Sequence, residues 1–526
     1  MGGGYARFFR TTEYVPPFQW AAAVFVFGSL VLMETLTLLR LRLATRRHRF
    51  RIVQKTAESI RSSSHDVYDR NEELEKEASQ ITGLPPLQYK RRTPDSELAG
   101  VRHEIDGRYG QTLKDFQALY FKSSYSRIKT CFHREAVGCP GATIALRQDD
   151  GSIVDCINLG SYNYLNFSST DNHDALEMSI NVFGATWCHS GAFVTTQEHV
   201  DLETDLATFL GVEACIIHSM GFDTNAMALP CLCGSNTVLL CDSLNHSSLV
   251  SGVRYARAVA NATVEVFLHD DFEDLTRRLE QYQGRDIIVI VEGLYSMDGD
   301  ILRLPELLEL KERYKFRLFV DEAHSIGALG DHGRGVSDYY GVEGIDIKMG
   351  TFTKSFSSVG GYIGGKTELI AQIRERIIHY NASALMPPYC ATQIRTALAE
   401  IDAGSPRVAR LHENSIFFRE GLKNVGLTVY GTQGSPVVPV LLYNPVKLKP
   451  MAEELRRRGI AAVVVGFPAV PLVTSRIRFC VSAGHTKEQL DEVIKQMEQL
   501  SRLYCLRYRM PVFRQLLSGP TENTGK

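Results

Sequence analysis

From about residue 176 onward, short apolar runs alternate with segments whose apolar residues recur at helical spacing. The apolar runs are four or five residues long and are typical of buried strands. They are Ala214 to His218, Thr237 to Cys241, Ile287 to Val291, Arg317 to Val320 and Ile347 to Thr351. Because strands that alternate with helices form βαβ units, the pattern predicts an α/β domain with a mostly parallel central sheet.

One of the intervening helices is predicted at Phe272 to Gln283. Asp270 and Glu273 have the spacing of a capping box at its start, and Gly284 would end it. We therefore expect this helix to have a defined beginning and end within the large domain.

The pattern changes after about Pro406, where a second and smaller unit begins. Three apolar runs, at 437–442, 460–465 and 476–482, are predicted strands. A helix is predicted from Lys487 to Leu500, with Thr486 and Gln489 at capping-box spacing. This unit is predicted to be a small α+β domain at the C-terminus.

The stretch from Phe18 to Leu39 is almost continuously apolar, with Glu34 near its far end. As a helix it would be about 33 Å long, close to the thickness of a bilayer core. Six arginines follow within twelve residues, so the positive-inside rule predicts that the remainder of the chain is cytosolic. We expect a transmembrane helix, and a helix lying in the membrane interface is the alternative.

The predicted organisation therefore has six parts. They are an anchor with its arginine-rich flank (1–51), a tether (52–112), an N-terminal arm of the catalytic region (113–175), a large domain (176–405), a small domain (406–510) and a tail (511–526).

The composition excludes some classes of function but does not identify one. Lys and Arg total 58 against 60 Asp and Glu, which gives no reason to expect a nucleic-acid partner. The 11 cysteines are scattered and include no Cys-x-x-Cys pair, so we predict no metal site and no disulfide framework.

Polar residues follow several of the predicted strands, at the edge where ligands bind in parallel α/β sheets. They are Asp242, His246, Glu292, Asp321, His324, Thr353 and Lys354. Their repetition at successive strand ends predicts a binding site there.

Two motifs in this region match sequence patterns of nucleotide-driven motor proteins. The segment from Asp321 to His324 spells a DEAH box, and the segment from Gly360 to Thr367 matches the phosphate-binding loop pattern. The order is the reverse of that in such motors, and Tyr362 and Ile363 are typical of a strand rather than a loop. A motor is therefore the less favoured hypothesis.

Asp321 and Lys354 together suit a pyridoxal 5'-phosphate (PLP) site. A lysine can form a Schiff base with the aldehyde, and a carboxylate can pair with the pyridinium nitrogen. Each of the two residues follows a short predicted strand.

Several short sequence strings, including those around Asp321 and Lys354, resemble the α-oxoamine synthase family. The strings are 158–165, 245–249, 291–297, 321–327, 350–365, 463–468 and 478–483, and the resemblance covers roughly 116 to 508. It implies a fold-type I PLP-dependent transferase.

The resemblance also implies roles at the matching positions. Lys354 would hold PLP as a Schiff base, Asp321 would pair with the pyridine nitrogen, and His324 would lie near the phenolic oxygen. His246 would stack on the ring. The phosphate would be bound by Thr351 with backbone amides near Gly221 and Phe222, and the substrate carboxylate would be bound by Arg478.

The implied reaction is the decarboxylative condensation of L-serine with palmitoyl-CoA or another long-chain acyl-CoA, the first step of sphingolipid synthesis. A family member that uses glycine or alanine, and a non-catalytic companion subunit, are the alternatives; Lys354 argues against the latter. The resemblance further implies an endoplasmic reticulum location, a heterodimer with a related non-catalytic subunit, and small regulatory membrane subunits.

One segment departs from the family pattern. Relatives carry an arginine in a glycine-rich turn at the position of 184–191, where this chain has Trp187 and His189 instead. We expect this difference to affect the rim of the active site and the contacts with the partner subunit.

Overall fold

The computed structural model describes residues 135–508, apart from 149, 170–172, 188, 190–194, 378–383 and 468. The predicted anchor, tether and tail, and part of the 184–191 segment, lie outside the described residues. Within the described part of the chain, no helix combines the length and apolarity needed to cross a bilayer.

The strands in chain order are β1 (Ala136–Val137), β2 (Thr143–Arg147), β3 (Ile153–Asn158), β4 (Ala214–His218), β5 (Thr237–Asp242), β6 (Thr263–Phe267), β7 (Asp286–Glu292), β8 (Arg317–Asp321), β9 (Ile347–Thr351), β10 (Gly361–Gly365), β11 (Val437–Tyr443), β12 (Ile460–Ala461), β13 (Val463–Val465) and β14 (Ser475–Cys480).

The α-helices are α1 (His173–Phe183), α2 (Gln197–Leu210), α3 (Gly221–Cys231), α4 (Ser247–Ala260), α5 (Phe272–Gln281), α6 (Leu304–Tyr314), α7 (Val336–Tyr340), α8 (Thr367–Ile377), α9 (Pro388–Asp402), α10 (Pro406–Asn424), α11 (Leu448–Arg457) and α12 (Lys487–Leu503).

Among the described residues, the central sheet has seven strands in the order β4-β10-β9-β8-β7-β5-β6. The neighbours from β9 to β6 are all parallel, which confirms the predicted mostly parallel sheet. The five predicted strands all appear, each within one residue of its expected bounds. Every residue of β5 and β9 is buried, as expected for strands covered on both faces.

The strand β10 runs antiparallel to both of its neighbours, β9 and β4. The link from β9 to β10 is only nine residues long, too short for the helical crossover that a parallel partner needs. The phosphate-loop look-alike at Gly360 to Thr367 is thus mostly strand, which removes the structural basis of a motor.

Helices α3 and α4 pack closely on each other beside the sheet. Gly252 of α4 makes this possible, because a Cβ at that position would lie 2.6 Å from the carbonyl oxygen of Asn225 on α3. The contact brings the first turn of α4 next to the second turn of α3, at the edge of the sheet where β8 and β9 end.

The small domain contains the antiparallel sheet β11-β14-β13 and the helix α12. The capping box of Thr486 and Gln489 is present, and α12 continues three residues beyond its predicted end. The expected strand at 476–482 is β14, which begins and ends earlier.

The expected strand at 460–465 was wrong as a single element. Ile460 pairs in parallel with Ile157 of β3, whereas Val463 pairs antiparallel with Arg478 of β14. The run therefore divides at Ala462 between two sheets, because different backbone partners are available on either side of it.

The predicted cap of α5 was also wrong by one residue. Asp271 is the N-cap and accepts a hydrogen bond from the Asp274 amide, whereas Asp270 precedes the helix with φ of 56° and pairs with Arg303. The helix ends at Gln281, two residues earlier than expected.

Candidate active site

Lys354 lies in the short link between β9 and β10. Its Nζ is 3.4 Å from Thr351 Oγ1 and 5.7 Å from the centre of the Tyr162 ring. Burial lowers the pKa of the Lys354 amine, although the carboxyl groups of Asp321 and Glu292 oppose the shift. A lysine with a lowered pKa is a better nucleophile near neutral pH, as Schiff-base chemistry requires.

Asp321 is the last residue of β8, and its carboxylate is buried. Oδ1 accepts a hydrogen bond from the Ala323 amide at 2.9 Å, and Oδ2 accepts one from Asn225 Nδ2 at 2.7 Å. These bonds hold the carboxylate in one orientation at the edge of the sheet.

His324 contacts Tyr164, whose hydroxyl is 2.7 Å from His324 Nδ1. Burial raises the pKa of Tyr164 well above its usual value, so the hydroxyl stays protonated while it shares this hydrogen bond with the imidazole. Burial, reinforced by the charge of Lys354, lowers the pKa of His324 well below its usual value. His324 is therefore neutral.

His246 is the N-cap of α4, and its Nδ1 accepts a hydrogen bond from the Ser248 amide at 3.2 Å. The backbone amide of His246 donates to the carboxyl group of Glu292. Burial lowers the pKa of His246, while the nearby Asp321 opposes this. The imidazole ring centre lies 6.4 Å from that of Phe222.

Gly221 and Phe222 begin α3, and Met220 before them provides no side-chain cap. Uncapped amides at a helix N-terminus can bind an anion. A Cβ on Gly221 would lie 2.7 Å from Cγ2 of Thr351, so only glycine allows α3 to start this close to the end of β9. The three residues predicted to bind phosphate are thus adjacent.

Arg478 approaches the same region from β14. Its guanidinium carbon is 4.6 Å from the centre of the Tyr162 ring, and Nη1 is 3.5 Å from Met297 Sδ. The side chain is buried, and Nε has no hydrogen-bond partner among the described residues. A buried guanidinium with an unused donor suits a substrate carboxylate.

The fold therefore brings the predicted site residues close together. Tyr162 lies against both Lys354 and Arg478, and its ring centre is 5.0 Å from that of His324. The roles given to these residues stay predictions.

Several residues of the site were not predicted. Tyr162 and Tyr164 stood in a string that resembles the family, and Ser248 stood in another, but no role was given to them. Asn225 could have been found from its place one turn after Gly221 on the same helix.

Glu292 at the end of β7 was noted only as a polar residue at a strand end. Burial, reinforced by the charge of Asp321, raises the pKa of Glu292 well above its usual value. The raised pKa favours the protonated form of Glu292, which limits the negative charge beside Asp321.

Trp187 and His189 of the atypical segment are both exposed. The carbonyl oxygen of His189 accepts a hydrogen bond from the Leu385 amide at 2.8 Å. Neighbouring residues of this segment lie outside the described residues.

Comparison with known proteins decides the family. Residues 154–497 match the aminotransferase class I and II family. Serine palmitoyltransferase 2 of Dictyostelium discoideum is 38% identical over 447 residues, covering 78% of this chain and 90% of that protein. The chain belongs to the serine palmitoyltransferase 2 family.

One further relative and one solved structure agree with this assignment. Long chain base biosynthesis protein 2b of Arabidopsis thaliana is 39% identical over 423 residues, covering 74% of this chain and 86% of that protein. A solved serine palmitoyltransferase variant from S. paucimobilis with a bound PLP-myriocin aldimine superposes with a TM-score of 0.69 at 27% identity. It covers 75% of this chain and 99% of that structure. The fold is that of the fold-type I PLP-dependent transferases.

Proposed function

We propose that the chain binds PLP and catalyses the condensation of L-serine with palmitoyl-CoA, or another long-chain acyl-CoA, to give 3-ketodihydrosphingosine, CoA and CO2. The observation that carries the proposal is the convergence of Lys354, His324 and the buried Arg478 on Tyr162, with Asp321 near enough to Lys354 to oppose the lowering of its pKa by burial. Membership of the serine palmitoyltransferase 2 family supports the choice of substrates.

The residues present fit PLP. Lys354 would hold the aldehyde carbon, Asp321 would pair with the pyridine nitrogen, and His324 would lie near the phenolic oxygen. The amides of Gly221 and Phe222, with Thr351, would bind the phosphate, and His246 would lie on the ring face. When bound, PLP supplies an electron sink for the bond that breaks at the α-carbon of serine.

Side chains of the protein bind the substrate and move the proton. Arg478 binds and orients the serine carboxylate, and the side-chain amine of Lys354 takes the proton from the α-carbon. The α-carbon then bonds to the acyl carbon as the thiolate of CoA leaves. The acyl carbon becomes the ketone in this step. Loss of CO2 from the α-carbon follows, and a proton returned to that carbon completes the amino ketone.

The absorbance spectrum of the purified protein tests this proposal. A Schiff-base band at the violet edge of the visible should appear with PLP and shift when serine is added. A shift with glycine or alanine instead of serine would favour the sister activity, and no band in the presence of PLP would reject the proposal.

The proposed location is the endoplasmic reticulum membrane, with the catalytic domain cytosolic. The support is the apolar stretch from Phe18 to Leu39 and the six arginines that follow it. Protease added to sealed microsomes should digest the catalytic domain; full protection would reverse the topology. Removal of residues 1 to 51 should abolish the chain's own membrane insertion.

The proposed partner is a related, non-catalytic long chain base subunit that forms a heterodimer with this chain, with small regulatory membrane subunits in addition. The support is the family resemblance and the atypical segment near Trp187. Coexpression should raise activity strongly over that of the chain alone. Full activity of the chain purified alone would count against the heterodimer.

A further inference from the structure

Asp321 and His246 lie on different elements, but a continuous series of hydrogen bonds joins them through Asn225 and Ser248. Asn225 Nδ2 donates to Asp321 Oδ2 at 2.7 Å and to Ser248 Oγ at 3.0 Å. Ser248 Oγ lies 2.8 Å from His246 Nδ1. Asn225 and Ser248 are only 1% and 2% exposed, so water cannot replace either of them in the series.

The direction of each bond follows from the donors available. The Asp321 carboxylate only accepts, so the Asn225 amide must turn its nitrogen toward it. The opposite orientation would place two oxygen atoms against each other. The same nitrogen has a second hydrogen, which points at Ser248 Oγ, and the hydroxyl hydrogen of Ser248 remains for His246.

The backbone amide of Ser248 determines the direction of the last hydrogen bond, between the Ser248 hydroxyl and His246. The Ser248 amide donates to His246 Nδ1 at 3.2 Å, so this nitrogen accepts and carries no hydrogen. The Ser248 hydroxyl therefore also donates to Nδ1, and the hydrogen of the neutral imidazole is on Nε2. Both bonds are lost if Nδ1 becomes protonated.

We infer that Asn225 and Ser248 are positioning residues that hold His246 as the neutral Nε2–H imidazole and fix it relative to the Asp321 carboxylate. His246 then presents one N–H donor, in one orientation, to the oxygen atoms of the substrates. The inference rests on the proposed function, in which His246 lies on the ring face of PLP and Asp321 pairs with the pyridine nitrogen.

Other charged groups act on His246 but do not set its tautomer. Asp321 raises the pKa of His246, and Lys354 lowers it. Glu292 accepts a hydrogen bond only from the His246 backbone. A change in Ser248 alters none of these groups, so its effect can be separated from theirs.

Protonation of His246 in the cofactor-free full chain tests the inference. The rate at which diethyl pyrocarbonate modifies His246, followed by peptide mapping across a pH series, gives the midpoint. Ser248→Ala removes the hydrogen bond that the Ser248 hydroxyl donates to the neutral imidazole, so the midpoint should rise by about half to one pH unit. Asn225→Ala should also raise it, because the freed hydroxyl can then turn and accept from a protonated Nδ1.

Ser247→Ala is the matched control, since Ser247 is the exposed neighbour of Ser248 on the same helix turn. Its midpoint should equal that of the wild type. Ser248→Thr keeps the hydroxyl and should also keep the wild-type midpoint. Unchanged midpoints in both Ser248→Ala and Asn225→Ala, or an equal rise in Ser248→Thr, would overturn the inference.

The cofactor-loaded protein supplies the second readout. The fall in kcat of Ser248→Ala should be about ten-fold, and the acidic limb of its pH profile should move in the same direction as the midpoint. If the wild type forms no Schiff base with PLP, the proposed function fails while the His246 titration still stands. A Schiff base with no shift in midpoint would remove the inference alone.

Discussion

Arg476 and Arg478 lie two residues apart on β14 and are both buried, but they have different partners. Arg476 Nη1 contacts Asp298 Oδ1 at 2.6 Å, and its Nε donates to the Thr474 carbonyl at 3.0 Å. Arg478 forms no ion pair with any carboxylate of the described residues. Arg476 thus holds the small domain to the loop after β7, whereas Arg478 is the arginine predicted to bind the substrate carboxylate.

We expect Arg478→Lys to raise KM for serine by at least about ten-fold, because an ammonium group cannot make the paired bonds of a guanidinium to a carboxylate. KM for the acyl-CoA should change much less. Steady-state kinetics with each substrate varied in turn measures both constants.

Arg502→Lys is the control for this substitution, since the Arg502 side chain is 68% exposed on α12. It should leave both constants unchanged. An unchanged KM for serine in Arg478→Lys would remove Arg478 from the amino-acid site.

Lys354→Ala should abolish turnover and the Schiff-base band while leaving the unfolding transition close to that of the wild type. The substitution removes the predicted Schiff-base nucleophile and the group proposed to carry the α-proton. Borohydride reduction of the PLP-loaded wild type, followed by peptide mapping, should place the pyridoxyl label on Lys354. A label on another lysine would show that Lys354 is not the Schiff-base residue.

The sequence was sufficient to place Lys354, Asp321 and His324, because each closely follows a short apolar run that proved to be a strand. It was not sufficient for Asn225 or Tyr164. Asn225 is 96 residues from Asp321 in the chain, and Tyr164 is 160 residues from His324. Such contacts depend on how helices and strands pack, and no local sequence pattern predicts them.

The division of the 460–465 run shows the same limit at the level of strands. Its residues have a consistent preference for extended structure, but the sheet that each residue joins is set by the backbone beside it. Ile460 lies next to β3, and Val463 lies next to β14. A periodic pattern predicts a strand, but it does not identify the neighbour.

His269 should stabilise the fold in a pH-dependent way. Its Nδ1 is 3.0 Å from Asp242 and its Nε2 is 3.5 Å from Asp300. Burial opposes the charged form, but the two carboxylates outweigh it and raise the pKa of His269 from 6.5 to about 10. Because the folded pKa is the higher one, this stabilisation is complete below pH 6.5 and is lost as pH rises toward 10.

We therefore expect His269→Gln to lower the free energy of unfolding by about 3 kcal/mol at pH 6, and by much less near pH 10. Denaturant titrations across this range measure the difference from the wild type. His332→Gln, at a histidine whose side chain is 67% exposed, should show little effect at any pH. A deficit in His269→Gln that does not change with pH would show that packing, not charge, is responsible.

Glu292→Gln should become more stable relative to the wild type as pH rises. The pKa of Glu292 is raised in the folded protein, so the folded state holds a proton that the unfolded state releases above pH 4.5. The wild type accordingly loses stability with increasing pH through this group, and glutamine, which has no proton to lose, does not. Glutamine also keeps an oxygen that can accept the His246 amide hydrogen.

The difference in the free energy of unfolding between Glu292→Gln and the wild type, measured from pH 4.5 to 9, checks this expectation. Glu292→Ala is the contrasting variant: it removes the acceptor and should cost about 1–3 kcal/mol, since the His246 amide loses its partner. If Glu292→Gln instead lost stability relative to the wild type as pH rose, the carboxyl group would have to be ionised in the folded protein. The acid at the end of β7 would then be a second buried anion beside Asp321 rather than a neutral support for His246.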